Sequence, residues 1–260
     1  MMACGLDDGQ YTLGGQAVTV KGNLGQGQSI SAVGITIGAE KLVSCSNTGN
    51  ITVKLTGDEG AGALHAAGVA TEVYNLQSCS NTGKIKATSN DNGCRNIYVG
   101  GLLGEGKTHK QDDLVVTKCY NKGKVTFSGK CYGNGAFVGG LAANCPNINL
   151  SYNKGSVETT IKEGMVSMGG VCGVVYGIND CYNTGKVSLQ GNGYAGGLAG
   201  FATITEPHAM RNYNTGSVTG KGTESYAAAI FGAYNGPDLL AKCTIYDNYY
   251  TNGSKAYGFS

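Results

Sequence analysis

The feature that most limits how this chain can fold is one short pattern that returns at intervals of roughly 30 to 40 residues. Cys45-Ser46-Asn47-Thr48-Gly49-Asn50-Ile51 is echoed by Cys79-Ser80-Asn81-Thr82-Gly83-Lys84-Ile85, Cys119-Tyr120-Asn121-Lys122-Gly123-Lys124-Val125 and Cys181-Tyr182-Asn183-Thr184-Gly185-Lys186-Val187. Two further copies, Ser151 to Val157 and Asn212 to Val218, differ in the first residue, and a degraded seventh copy falls around Tyr246-Asp247-Asn248-Tyr249-Tyr250. A fold that repeats at this period stacks one unit on the next.

A second block alternates with the first: Val33-Gly34-Ile35, Ala67-Gly68-Val69, Gly100-Gly101-Leu102, Gly139-Gly140-Leu141, Gly169-Gly170-Val171, Gly196-Gly197-Leu198 and Ala228-Ala229-Ile230. From this block to the next asparagine the spacing is constant in four copies, Gly34 to Asn47, Gly68 to Asn81, Gly140 to Asn153 and Gly170 to Asn183. The rest of each unit varies in length. Constant spacing marks structural rungs and variable spacing marks loops, such as Ser89 to Arg95 and Lys107 to Asp113, where function would most easily sit.

Short β-branched runs punctuated by Gly and Asn, with no apolar set at helical spacing, predict strands. Coiled once per repeat, equivalent residues stack about 4.8 Å apart and each column becomes a ladder of like side chains. The columns Ile51, Ile85, Val125, Val157, Val187, Val218 and Ile35, Val69, Leu102, Leu141, Val171, Leu198, Ile230 are aliphatic, as inward stacks require. The asparagine column, read from Asn47 to Asn248, is expected to bond rung to rung at a turn, with the Gly two positions later supplying positive φ or close approach. Glycine numbers 45 against 3 prolines, so it serves a folded backbone and not a Pro-Gly linker. The expected fold is all-β, a right-handed parallel β-helix (solenoid) of about seven glycine-rich rungs. It forms one domain over 1–260, with repeats at about 30–250, and at seven rungs would stand roughly 30 Å tall. Residues 246–260 are expected to be a C-terminal cap, whereas 1–30 fit a cap poorly.

Paired copies of Gly-Gly-Leu-x-Gly and Cys-Tyr-Asn-Thr-Gly-x-Val, best at Gly196 to Gly200 with Cys181 to Val187, resemble the GLUG motif of bacterial surface proteins. The likeness covers about residues 30 to 250. It implies right-handed β-helical segments in large secreted or surface-attached proteins, including adhesin-like proteins and the non-catalytic part of immunoglobulin A-specific metallopeptidases. It therefore implies an extracellular or cell-surface location within a longer polypeptide. The start of the sequence shows no signal-peptide pattern, and a truncated N-terminus is expected.

Charge and composition narrow the functions. The formal net charge is +2, from 19 basic and 17 acidic residues, with the lysines scattered along the chain, so no nucleic-acid footprint is read. No apolar run is long enough for membrane insertion. The cysteines at 45, 79, 119 and 181 share one column and are read as free, buried, small apolar side chains, because adjacent parallel rungs offer poor disulfide geometry. His65, His109 and His208 lie in different copies, His-Glu-x-x-His is absent, and no metal or cofactor site is expected. Asp58-Glu59-Gly60 and Asp91-Asn92-Gly93 read as polar turns rather than calcium loops. The acids do not recur in register as they would in a polysaccharide-cleaving groove. No catalytic residue is assigned.

One column stands apart. Tyr120, Tyr152, Tyr182 and Tyr213 alternate with inward positions and are expected to form an outward aromatic strip, able to stack on sugar rings or a partner, or simply to shield the solenoid. The expected function is a non-enzymatic structural or adhesive segment that presents loops and this strip to a host surface protein or glycan. The alternatives are a polysaccharide-active β-helix enzyme and the spacer of a larger immunoglobulin A-type peptidase.

Overall fold

The computed structural model describes residues 12–13, 17–25, 27–57, 62–90, 92–109, 113, 115–132, 135–202, 208–234, 244–246 and 248–250. Among them there is no helix; the chain winds through four parallel sheets as a β-solenoid of about six turns. Each turn visits the sheets in the same order. The first is built of two-residue strands such as Tyr152–Asn153, the second of strands such as Val157–Glu163, the third of strands such as Val166–Gly169, and the fourth of strands such as Cys172–Asn179. Pairing is in register along each column, so Asn81 meets Asn121, Asn121 meets Asn153 and Asn153 meets Asn183. The winding starts before residue 30: Thr12–Leu13 and Val18–Leu24 pair with Ser46–Asn47 and Ile51–Gly57.

The interior holds two apolar stacks. One contains Ile35, Val69, Leu102, Leu141, Val171, Leu198 and Ile230 with Leu42, Leu76, Val116, Ile148 and Ile178. The other contains Ile51, Ile85, Val125, Val157 and Val187 with the residues of the third sheet that face them, such as Val99, Val138 and Met168. Full burial of each Val, Leu or Ile contributes about 1.5–3 kcal/mol, and the columns collect this contribution once per turn. Neighbouring rungs share volume: Phe127 lies between Ala87 and Thr159 in its column, a large ring flanked by smaller side chains.

A polar seam runs through the interior. Each ladder asparagine donates from Nδ2 to the carbonyl of the glycine two residues on and to Oδ1 of the next asparagine, with Asn121 to Asn153 at 2.8 Å and Asn153 to Asn183 at 2.9 Å. At Asn47, Asn121, Asn153, Asn183 and Asn214 the Oδ1 also accepts the N–H of that glycine, from Gly155 to Asn153 at 3.1 Å. At Asn121, Asn153 and Asn183 both hydrogens and both lone pairs are thereby engaged, which makes a buried amide tolerable. The glycines fit because backbone approaches backbone. A Cβ on Gly140 would lie 2.0 Å from the Gly170 oxygen and 2.4 Å from Asn153 Cγ, and one on Gly155 would lie 2.0 Å from the Gly123 oxygen.

Of the two roles expected for the glycine two positions after each asparagine, close approach holds and positive φ does not. Two other expectations about this seam are corrected. The left-handed residue is the one before the cysteine column, namely Ser44, Ser78, Lys118, Leu150, Asp180 and Arg211, with φ of 50–55°. The cysteine column is polar in use: the Cys119 thiol donates to the Thr117 carbonyl across that left-handed residue and accepts the Cys79 N–H at 3.3 Å. Ser151 and Cys181 make the same backward bond to Asn149 and Asn179, and Asn212 accepts the Cys181 N–H at 2.8 Å, so Cys, Ser and Asn are interchangeable here because each can accept from the neighbouring rung. Finally, the amide ladder ends at Asn214. Tyr250 is its register partner, while Asn248 falls two positions earlier, in the cysteine column, accepting from Asn212 at 2.8 Å. In the seventh copy the asparagine therefore belongs to the cysteine column, where Asn is admissible as it is in the amide column. Of the expected cap, only 246 and 248–250 lie within the described residues.

Candidate functional site

The four tyrosines predicted as a strip do come together. They lie on the outer face of the first sheet, with ring centroids 5.2 Å apart for Tyr120 and Tyr152, 4.7 Å for Tyr152 and Tyr182, and 4.8 Å for Tyr182 and Tyr213, and interplanar angles of 3–7°. The Lys122 and Lys154 ammonium groups sit 5.2 and 5.3 Å from the centroids of Tyr120 and Tyr152. Burial, and then the neighbouring phenols, raise the pKa of Tyr152 and Tyr182. Parallel stacking covers the ring faces with each other. What the strip offers a ligand along its length is therefore ring edges and hydroxyls; a face for sugar stacking remains only at its ends.

A second cluster, missed in the sequence, occupies the corner where the third sheet turns into the fourth. That corner is tight: a Cβ on Gly173 would lie 2.8 Å from the Val138 nitrogen, and one on Gly200 would lie 2.2 Å from the Met168 nitrogen. On the third sheet His65, Tyr98 and Phe137 are register neighbours, with His65 edge-on to Tyr98 at 5.0 Å and Tyr98 tilted against Phe137 at 5.4 Å. On the fourth, Glu72 and Glu105 are register partners, and Lys107 lies 2.7 Å from Glu105 and 3.9 Å from Glu72. Against the expectation that the acids do not recur in register, Glu72 and Glu105 do so on adjacent rungs.

The charges of this corner are coupled. Burial lowers the pKa of His65, outweighing the pull of Glu72 and Glu105 toward the charged form. Burial followed by the Glu105 charge raises that of Tyr98. For Lys107, burial pulls downward, but the bond from its ammonium to Glu105 and the two carboxylate charges prevail and its pKa is raised. Just outside, His109 in the Lys107 to Asp113 insertion stacks on Tyr74 at 4.2 Å and contacts Glu40 at 3.0 Å. The sequence signal available was an aromatic or His two residues ahead of five of the glycine or alanine blocks, at His65, Tyr98, Phe137, Tyr194 and Tyr226. Its partners lie beyond the turn and could be matched to it only once the register was known.

The remaining candidates stay apart. Eight cysteines are free and buried. The Cys79 thiol is pushed up to about 12, chiefly by its hydrogen bond with Cys119, and the Cys181 thiol to about 12 by burial. Among the described residues no group of three or more His, Cys, Asp and Glu could hold a metal ion. Asp58-Glu59-Gly60, Asp91 and Asp112 lie outside the described residues, as does the His208 side chain. No family model, curated protein or solved structure matches the chain.

Proposed function

We propose that the chain is a non-enzymatic structural and adhesive segment of a bacterial cell-surface or secreted protein, holding rung-specific side chains and loops toward a host protein or glycan. One observation carries this reading. The residues that define the repeat, the asparagines, cysteines, glycines and aliphatics, face inward and bond or pack from rung to rung, while the chemistry that departs from the repeat lies on the outer faces. Such a division suits a rigid scaffold whose outer surface is free to vary. Assignment to a bacterial surface protein is supported by the likeness of the repeats to the GLUG pattern. The test is adhesion of the purified, folded chain to arrayed glycans and to matrix proteins. Binding to at least one class is expected, and a folded protein that bound none would remove the adhesive role.

The corner cluster favours a second reading, a polysaccharide-active groove, because Glu72 and Glu105 stand on adjacent rungs beside Lys107, Tyr98 and His65. Release of shorter oligosaccharides from a polysaccharide panel, abolished by Glu105→Gln, would replace the first reading with this one. Intact polymers after prolonged incubation would dismiss it.

A further inference from the structure

The outer face of the second sheet gathers charge that the sequence keeps apart. Lys84 and Lys124 are successive members of the column that begins at Asn50, and Lys86 stands between Thr52 and Thr126 in a neighbouring column. Together with Ser128, Glu158 and Thr160 they wall an open hollow of about 430 Å³. Lys124 reaches Glu158 at 2.7 Å, and Lys186 acts on the same carboxylate, whose pKa is lowered chiefly by the Lys124 bond. Lys124 and Lys186 thus share one carboxylate. Lys84 and Lys86 have no ion-pair partner among the described residues.

Like charges side by side across paired strands destabilise a sheet, by a few tenths of a kcal/mol to about 1 kcal/mol per pair. Nothing in the fold requires lysine there, since Asn, Ser and Thr occupy the same columns on other rungs. The hollow has the volume of a small-molecule site, and hydroxyl and amide groups from Asn50, Thr52, Thr126 and Thr160 surround the cations. The one aromatic residue that lines it, Phe127, is 1% exposed and offers no face for a base to stack on, which argues against single-stranded nucleic acid.

We infer that this face is a binding site for an acidic polysaccharide, with Lys84, Lys86 and Lys124 receiving the carboxylate or sulfate groups and the flanking hydroxyls receiving the sugar. The inference rests on the reading of the chain as a non-enzymatic display scaffold and gives that scaffold a ligand class. The experiment is calorimetric titration of the whole chain with tetragalacturonate, a heparin tetrasaccharide, maltotetraose and oligo(dT), at low and at physiological salt. One or both acidic sugars should bind, weakening as salt rises, while maltotetraose does not; which one binds tells carboxylate from sulfate recognition. Lys84→Gln with Lys86→Gln, both at the surface, should weaken binding at least tenfold, and Lys41→Gln, an exposed lysine on the fourth sheet, should leave it unchanged. Binding of neutral and acidic sugars alike, no binding of either acidic sugar, preference for oligo(dT), or indifference to the lysine substitutions would each overturn the site. If the chain still adhered to arrayed glycans or matrix in those cases, the scaffold reading would stand without it. Cleavage of the bound sugar would instead retain the site and sink the non-enzymatic reading.

Discussion

At the scale of single residues, the buried asparagines are where a small change should cost most. Asn153 makes two bonds to neighbouring amides and two to Gly155, so Asn153→Ala leaves several buried partners unmet. A loss of about 3 kcal/mol or more is expected from orphaned groups of this kind, read as a fall in the urea midpoint. Leu150 offers the opposite case. It is 49% exposed and holds φ of 50°, a conformation costly to a branched side chain, so Leu150→Asn should raise stability by up to about 1 kcal/mol in the same assay. The asparagine column was legible because one residue type marked it. The left-handed column was not, because Ser, Lys, Leu, Asp and Arg share no propensity for that conformation; the hydrogen bond that the next residue throws back across it imposes the turn. The thiols follow from the same geometry. The eight buried cysteines should resist a disulfide-exchange reagent in the native protein at mildly alkaline pH and react once it is unfolded, since burial keeps the reagent from their sulfurs.

At the scale of an element, the tyrosine row and the corner separate what alternation reveals from what register reveals. Alternation alone sent Tyr120, Tyr152, Tyr182 and Tyr213 outward, and the stacked rings follow. Tyr182 has a parallel ring on each side, so Tyr182→Ala should cost about 1–3 kcal/mol from two stacking pairs, whereas Tyr182→Phe keeps both and should cost little; thermal melts of the two variants decide it. The corner could not be read this way, because its acidic half and its aromatic half lie on strands separated by the glycine turn. Its signature is pH dependence. Above His65's ordinary pKa of 6.5 the imidazole is neutral in both folded and unfolded chains, and no stability is lost. As pH falls below 6.5 the unfolded chain takes up the proton first, so stability declines until the depressed folded pKa is reached. His65→Gln should flatten that decline in melting temperature.

For the whole molecule, the period of the repeat was enough to specify parallel stacking and aliphatic columns, and the winding bears this out down to the paired residues. The variable stretches gave less, since their partners are set by the register: Lys107 reaches Glu72 and His109 reaches Glu40 on earlier turns. Because each turn touches only its neighbours, removing one whole unit should leave a shorter rod that folds. Deleting residues 154–183 joins Asn153 to Thr184 and restores every column; circular dichroism should retain the β signal with a lower melting temperature. Loss of cooperative unfolding would mean that the turns are not equivalent.

The direction of the amide ladder carries a consequence for the rod as an object. Every bond from Asn47 to Asn214 runs Nδ2 to Oδ1 in the same sense along the axis, so the carboxamide dipoles add instead of cancelling, and each polarises the next. The stack is thus electrically one-way, like a row of magnets laid north to south. A newly formed turn at the C-terminal side meets a row already aligned to donate to its amide oxygen, and Tyr250, with no amide oxygen to accept, is where that row stops.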